Sequence, residues 1–307
     1  MISRRNIRVK VMQTLYTIET TEGTAYDGKS SKLLEKHLEQ SRQIFIYLLH
    51  HIISVGQYAE TDAKLRASKH LPTYEDLNVN IKIAGNEIIW KILGDPSYQK
   101  AVAEIKPQQW INDELIRKTY LQLCESEVYK EYTALQERNR KSEKSILEFI
   151  FTDLMMANDD FISQMEDNFI HWDDDAEMMN QLVMNFLQKP YCDFQDMLGA
   201  EKRKFAKDLL QTVIDKKQIC QELIKPKLKN WDAERIAILD MILMEMGVCE
   251  FLYFETIPTK VTINEYIDLA KEYSTPQSGH FVNGILDSIH KDLLTQDKLH
   301  KISHRKS

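Results

Sequence analysis

Residues 257–295 read IPTKVTINEYIDLAKEYSTPQSGHFVNGILDSIHKDLLT, and the spacing of their apolar side chains decides the fold class. Phe281, Ile285, Ile289 and Leu293 recur every four residues and so line one face of a helix. Thr262 and Glu265 have the spacing of a capping box, which predicts a helix from there through Tyr273. The polar run 274–279 reads as the loop between these two helices. Within the second, Asn283 and Gly284 read as packing residues: a mid-helix glycine costs about 1 kcal/mol against alanine, which close approach of another backbone would explain.

Working outward, Pro258 separates this pair from a helix carrying Ile236, Leu239, Ile242, Leu243, Met246 and Phe251, with Asp232 as its expected cap. Before it, a helix over 200–224 carries Phe205, Leu209, Val213, Ile219 and Leu223. At the front, Ile7, Val11, Leu15 and Ile18 predict a helix from about Arg4 to Glu19. Glu22-Gly23 and Asp27-Gly28 mark a loop, and Leu34, Leu38, Phe45, Leu48, Leu49 and Ile52 predict a second helix over about 33–60. In the middle, Thr73 and Asp76 form a second capping-box pattern, and Gly94-Asp95-Pro96 is a clear break. Helical patterns then run over about 97–104, 111–136, 142–157 and 174–188, closed by Lys189-Pro190. The tail from about 295, with Lys298, Lys301, Arg305 and Lys306, is polar and expected to be mobile.

Composition agrees with an all-α fold. Nine glycines and seven prolines are about 5% of the chain, against roughly 12% in average proteins, too few for a turn-rich sheet protein. A chain of 307 residues suggests two domains at about 150 residues each. No apolar run approaches the 18 or so residues that span a bilayer, and Arg and Lys interrupt any signal-peptide core. Cys124, Cys192, Cys220 and Cys249 are far apart in sequence and form no C-x-x-C pair, so neither a zinc site nor a disulfide framework is expected, and a cytoplasmic location fits.

The net charge of −7 conceals an uneven distribution. Residues 1–18 carry Arg4, Arg5, Arg8 and Lys10 and no acid. Residues 151–200 carry eleven Asp or Glu against Lys189 alone, a local balance of −10, which leaves the remainder at +3.

Catalytic signatures are missing: no G-x-G-x-x-G, P-loop, H-E-x-x-H or G-x-S-x-G motif occurs. His50 and His51 are adjacent, so on a helix they point about 100° apart and do not readily share a ligand. Asp173-Asp174-Asp175 follow Trp172 where a helix begins, and there they offset the positive end of the helix dipole rather than hold a metal. The first helix is more informative. With Ile7, Val11 and Leu15 on the core side, Arg4, Arg5, Arg8 and Lys10 cannot all lie there, and Tyr16 is expected to stand near the basic cluster. Arginine beside an exposed aromatic suits single-stranded RNA, with guanidinium on phosphate and ring on base.

Ile257-Pro258-Thr259-Lys260-Val261-Thr262-Ile263-Asn264-Glu265, then Leu269-Ala270-Lys271-Glu272-Tyr273, then Phe281-Val282-Asn283-Gly284-Ile285-Leu286-Asp287, closely resemble the NusB family of transcription antitermination factors in sequence and in spacing. Phe205-x-x-Asp208-Leu209-Leu210 and Arg235-Ile236-Ala237-Ile238-Leu239 look like the two preceding helices of that fold, and Arg4-Arg5-x-x-Arg8 with Gln13-x-Leu15-Tyr16 like its first helix. The resemblance covers about 1–20 and 200–294. It implies a non-enzymatic helical bundle without cofactor or metal, which binds boxA-type single-stranded RNA of ribosomal RNA leader transcripts. It also implies a heterodimer with NusE, a small-subunit ribosomal protein, within an antitermination complex on RNA polymerase. The implied RNA-binding residues are Arg4, Arg5, Arg8, Lys10, Tyr16, Lys271, Tyr273, Gln277, Ser278, His280 and Phe281. Phe281 also begins an apolar stripe, and Asn264 and Glu265 read as capping groups.

This chain departs from the family in two respects. Gln277 and His280 stand where the loop usually has an acidic residue and a lysine, and the chain is about twice the usual length. The division that follows is a NusB-like RNA-binding bundle of 1–60 with 196–294, an inserted helical region at 61–195 that includes the acidic segment, and the tail 295–307. Two other functions compete with antitermination. A NusB-like domain also precedes some rRNA cytosine methyltransferases, but those need a Gly-rich cofactor loop and reactive cysteines after the helical part, and here the chain stops about 14 residues beyond the last helix. A helical scaffold for proteins of transcription or ribosome assembly, with reduced RNA binding, is the other.

Overall fold

The structure, a computed structural model, describes residues 2–21, 29–228 and 236–302. The loop expected at Glu22-Gly23 and Asp27-Gly28, the Asp232 cap, Arg235, and Arg305 and Lys306 of the tail lie outside the described residues. Among these there are fourteen α-helices and no strand. In chain order they are α1 (Arg4–Thr20), α2 (Ser30–Ala67), α3 (Tyr74–Leu77), α4 (Glu87–Leu93), α5 (Pro96–Ile105), α6 (Asp113–Glu125) and α7 (Glu127–Ala134), followed by α8 (Arg140–Phe149), α9 (Asp159–Asn168), α10 (Trp172–Gln188), α11 (Ala200–Ile224), α12 (Ile238–Tyr253), α13 (Thr259–Tyr273) and α14 (Ser278–Thr295).

The helices divide into two compact units. One comprises residues 39–197 and the other 2–38 with the described residues from Leu198 onward. In the first, the Thr73–Asp76 capping box is present as the sequence predicts, and the expected break at Gly94-Asp95-Pro96 is the junction of α4 and α5, where Asp95 caps α5 with Pro96 at N1. The pattern over 111–136 is two helices, because Ser126 ends α6 by donating to the Leu123 carbonyl and caps α7 by accepting from Tyr129 N–H. Two short helices, α4 and α9, add to those that the sequence predicts. Asn86 and Asn158 cap them, and their apolar positions are too few to make a long stripe. Asp173, Asp174 and Asp175 occupy the first turn of α10 as expected, with Asp175 buried and accepting from Ser41 Oγ at 3.3 Å.

In the second unit, α1 packs on α11 and α12, and α12 on α13 and α14. Ser3 and Asn6 cap α1 reciprocally, so the helix starts at Arg4. Phe281, Ile285, Ile289 and Leu293 are all buried, as their spacing predicts, each contributing about 2 kcal/mol of burial. Several details differ from expectation. Helix α13 begins at Thr259 behind Pro258, so Thr262 lies in its second turn, buried, and donates to Glu250 rather than capping. Helix α14 begins at Ser278, which shortens the loop to 274–277. A Cβ on Gly284 would meet nothing within 4 Å, and Asn283 is exposed, so neither is a packing residue. Close approach occurs at Gly247, where a Cβ would stand 2.9 Å from Leu286 Cδ2. The tail is held through Ile302: Lys301 Nζ donates to the carbonyls of Glu250 (2.7 Å) and Phe254 (2.8 Å) at the end of α12.

Candidate nucleic-acid interface

Apart from Tyr16, the expected RNA-binding residues lie in two segments, the first half of α1 and the stretch 271–281, and the starts of the two meet. Arg5 Nη2 donates to Glu272 Oε2 at 2.7 Å and its Nη1 lies 3.9 Å from Glu265 Oε2, which joins the first turn of α1 to the middle and last turn of α13. Arg4 is exposed, pairs with Glu201 at 2.7 Å and lies over the Phe205 ring at 5.5 Å. Both are surface pairs, worth at most about 1 kcal/mol, so a phosphate can displace the carboxylate at little cost.

Around the 274–277 loop, Lys271, Gln277 and His280 are exposed and Tyr273 is half-buried. The Lys271 stem lies across the start of α14, where a Cβ on Gly279 would stand 2.6 Å from Lys271 Cγ. The missing side chain thus sets where Lys271 runs. Ser278 is buried and holds the loop rather than a ligand. Its hydroxyl donates to Asp240 Oδ2 at 2.8 Å and accepts from Thr275 N–H at 3.2 Å. Phe281 is buried too, as the first residue of the apolar stripe.

Arg8 and Lys10 do not face solvent. They are 2% and 1% exposed, because residues 7–15 of α1 are enclosed on every side. Arg8 forms a two-pronged ion pair with the fully buried Glu250, Nε to Oε1 at 2.7 Å and Nη2 to Oε2 at 3.1 Å. Glu250 also accepts from Thr262 Oγ1 at 3.0 Å and from Tyr266 OH at 2.8 Å. Glu265 lies 3.4 Å from Arg8 Nη1, so it is an ion-pair partner of the first helix and not a cap. Burial opposes the charge on Arg8, but the bond to Glu250 and the surrounding groups outweigh it and hold its pKa above the ordinary arginine value. Lys10 Nζ donates to Gln13 Oε1 at 3.1 Å. The sequence did contain a signal: Asp240, Glu245 and Glu250 interrupt a mostly apolar helix, and a buried acid needs a buried partner.

Tyr16 is 45% exposed but is not near the basic cluster. Twelve residues separate it from Arg4, about 18 Å of helix rise.

The four cysteines are free, but Cys220 and Cys249, distant in sequence, meet in the core with their sulfurs 3.4 Å apart. Among the described residues no group of three or more His, Cys, Asp or Glu is placed to hold a metal, and no helix is long and apolar enough to cross a membrane.

Comparison with known proteins agrees with this architecture. The NusB family model matches residues 160–291, so the likeness extends upstream of 200 to include α9 and α10. The transcription antitermination protein NusB of Salinibacter ruber is 42% identical over 99 residues, 32% of this chain and 62% of that protein. Its counterpart in Methylacidiphilum infernorum is 40% identical over 102 residues, 33% of this chain and 71% of that protein. That of Finegoldia magna is 32% identical over 156 residues, 50% of this chain and 93% of that protein. No solved structure matches significantly. With a relative this similar aligned over nearly its whole length, the chain belongs to the NusB family.

Proposed function

We propose that this protein is a cytoplasmic, non-enzymatic transcription antitermination factor that binds boxA-type RNA of ribosomal RNA leader transcripts together with NusE, as part of the antitermination complex on RNA polymerase. The observation that carries this reading is the Arg5–Glu272 pair, which joins the start of α1 to the 271–281 segment and makes one surface of Arg4, Arg5, Lys271, Tyr273, Gln277 and His280, its cations held in exchangeable surface pairs beside an aromatic ring. Arg4, Arg5 and Lys271 meet phosphates, Tyr273 stacks a base, and Gln277 and His280 offer hydrogen bonds to base edges. Ser278 and Phe281 act from beneath, by fixing the loop and the helix it opens. Tyr16 meets only an RNA that runs the length of α1. Arg8 and Lys10, enclosed, position that helix instead of touching RNA.

Their burial also favours a second reading, a helical scaffold for protein partners with reduced RNA binding, because it removes two of the four cations of the first helix. Fluorescence anisotropy separates the two. A labelled boxA RNA of about eight nucleotides, a length within the site sizes of single-strand binders, is titrated with and without NusE beside a scrambled RNA. The antitermination reading expects tighter binding to boxA, further tightened by NusE. With three phosphate contacts the slope of log K against log salt is about −2. Replacing Arg4 and Arg5 by Ala should weaken binding by roughly tenfold or more at about 0.15 M salt while the helical signal is unchanged. Equal weak binding to both RNAs, indifferent to NusE, would leave the scaffold.

A further inference from the structure

We infer that a second basic surface, formed where α2 and α11 meet, binds the phosphates of the RNA strand beyond the boxA-contacting loop. This rests on the RNA-binding reading above and extends its site. In the sequence Glu201 and Asp208 flank Lys202-Arg203-Lys204 and Lys207, and Lys32 and Lys36 lie about 170 residues away in the chain. The fold unites them. Glu35 on α2 accepts from Arg203 Nη1 at 2.6 Å and from Lys207 Nζ at 2.9 Å, two residues one turn apart on α11. That clamp holds the first turns of α2 beside the first turns of α11. Lys32 and Lys36, also one turn apart, are exposed there, as are Lys204 and Lys207. At the other side of α11, Arg4 pairs with Glu201 and Lys202 Nζ donates to the Ile2 carbonyl at 2.6 Å, so the strip continues to the start of α1.

Arg4, Lys32, Lys36, Arg203, Lys204 and Lys207 face three nearby carboxylates, Glu35, Glu201 and Asp208, which leaves a surplus of three positive charges in a chain whose net charge is −7. The adjoining N-terminal ends of α1 and α11 add partial positive charge of the same sign. The strip offers cations at one-turn intervals without the aromatic and apolar anchors of a protein interface, and this suits a phosphodiester backbone read without sequence preference.

The test compares the intact protein with a variant carrying Lys32→Ala, Lys36→Ala, Lys204→Ala and Lys207→Ala. Salt titrations use a boxA RNA of about eight nucleotides and the same RNA extended to about 25, longer than a single compact binding site. All four residues are exposed, and circular dichroism checks that the variant folds. The expected result is an unchanged short-RNA titration and a long-RNA slope reduced in magnitude by about 3, with affinity at about 0.15 M salt at least tenfold weaker. An unchanged long-RNA slope, with the intact protein still binding boxA, would overturn the strip and leave the boxA reading standing. Retained long-RNA binding with loss of NusE binding would overturn it in favour of a protein contact. No RNA binding by the intact protein at any salt would remove both.

Discussion

Arg8 and Arg5 lie three residues apart on one helix and have opposite fates. Arg5 sits at the edge of α1, half-buried, in exchangeable pairs, while Arg8 is enclosed against Glu250 with Thr262 and Tyr266 completing the carboxylate's partners. A fully hydrogen-bonded buried pair gains little over an apolar one, but removing one partner strands the other charge. Replacing Arg8 by Met is therefore expected to lower unfolding free energy by about 3–5 kcal/mol in urea titration, with short-RNA binding preserved wherever the variant is folded. An unchanged urea midpoint would mean that Glu250 finds another partner. Both arginines were legible as basic residues of a first helix. Which of them reaches solvent was not, because helical spacing assigns a face only when one side of the helix is open, and the middle of α1 has none.

At the scale of elements, helix α14 was legible in its apolar stripe and misread in its glycine. Gly284 has open space around its missing side chain, so Gly284→Ala should raise stability by roughly 0.5–1 kcal/mol through helix propensity and a more restricted unfolded chain. Gly247 is the contrasting case. There a methyl group would press on both methyls of Leu286, where α12 crosses α14, and Gly247→Ala should cost about 1–3 kcal/mol. Thermal melts of the two variants check the pair, and a loss at Gly284 would contradict the geometry. The helix starts show the same limit. Thr73 with Asp76 caps and Thr262 with Glu265 does not, though both have the box spacing, because Pro258 already begins α13 and Thr262 is drawn inward to Glu250.

For the whole molecule, the pH dependence of stability follows from histidines packed without charge. Burial, reinforced by neighbouring His50, lowers the pKa of His51 to about 3, and burial also lowers that of His50. In the unfolded chain a histidine titrates near 6.5. Between those values the unfolded chain binds a proton that folded His51 does not. Stability is thus full above about pH 6.5 and falls as pH drops, by up to about 1.4 kcal/mol per unit for one such proton. Urea midpoints measured from pH 7 to 4 should decline, and less steeply in a His51→Gln variant. An identical slope in that variant would assign the acid sensitivity to other groups. The adjacent histidines were visible as a pair, but their neutrality comes from Phe161 and Tyr47 closing over the ring of His51.

By itself, the sequence determined that the chain is all-helical, where most of its long helices run, and which family its C-terminal blocks resemble. Periodicity, proline placement and local spacing are properties of neighbouring residues, and they survive without knowledge of the partners. Tertiary structure alone decided which cations face solvent and which groups become one surface. Arg5 meets Glu272, Glu35 meets Arg203 and Lys207, and Cys220 meets Cys249 only because helices distant in sequence pack together. Charge and burial at those places depend on what lies across the interface, and no stretch of sequence carries its own neighbour.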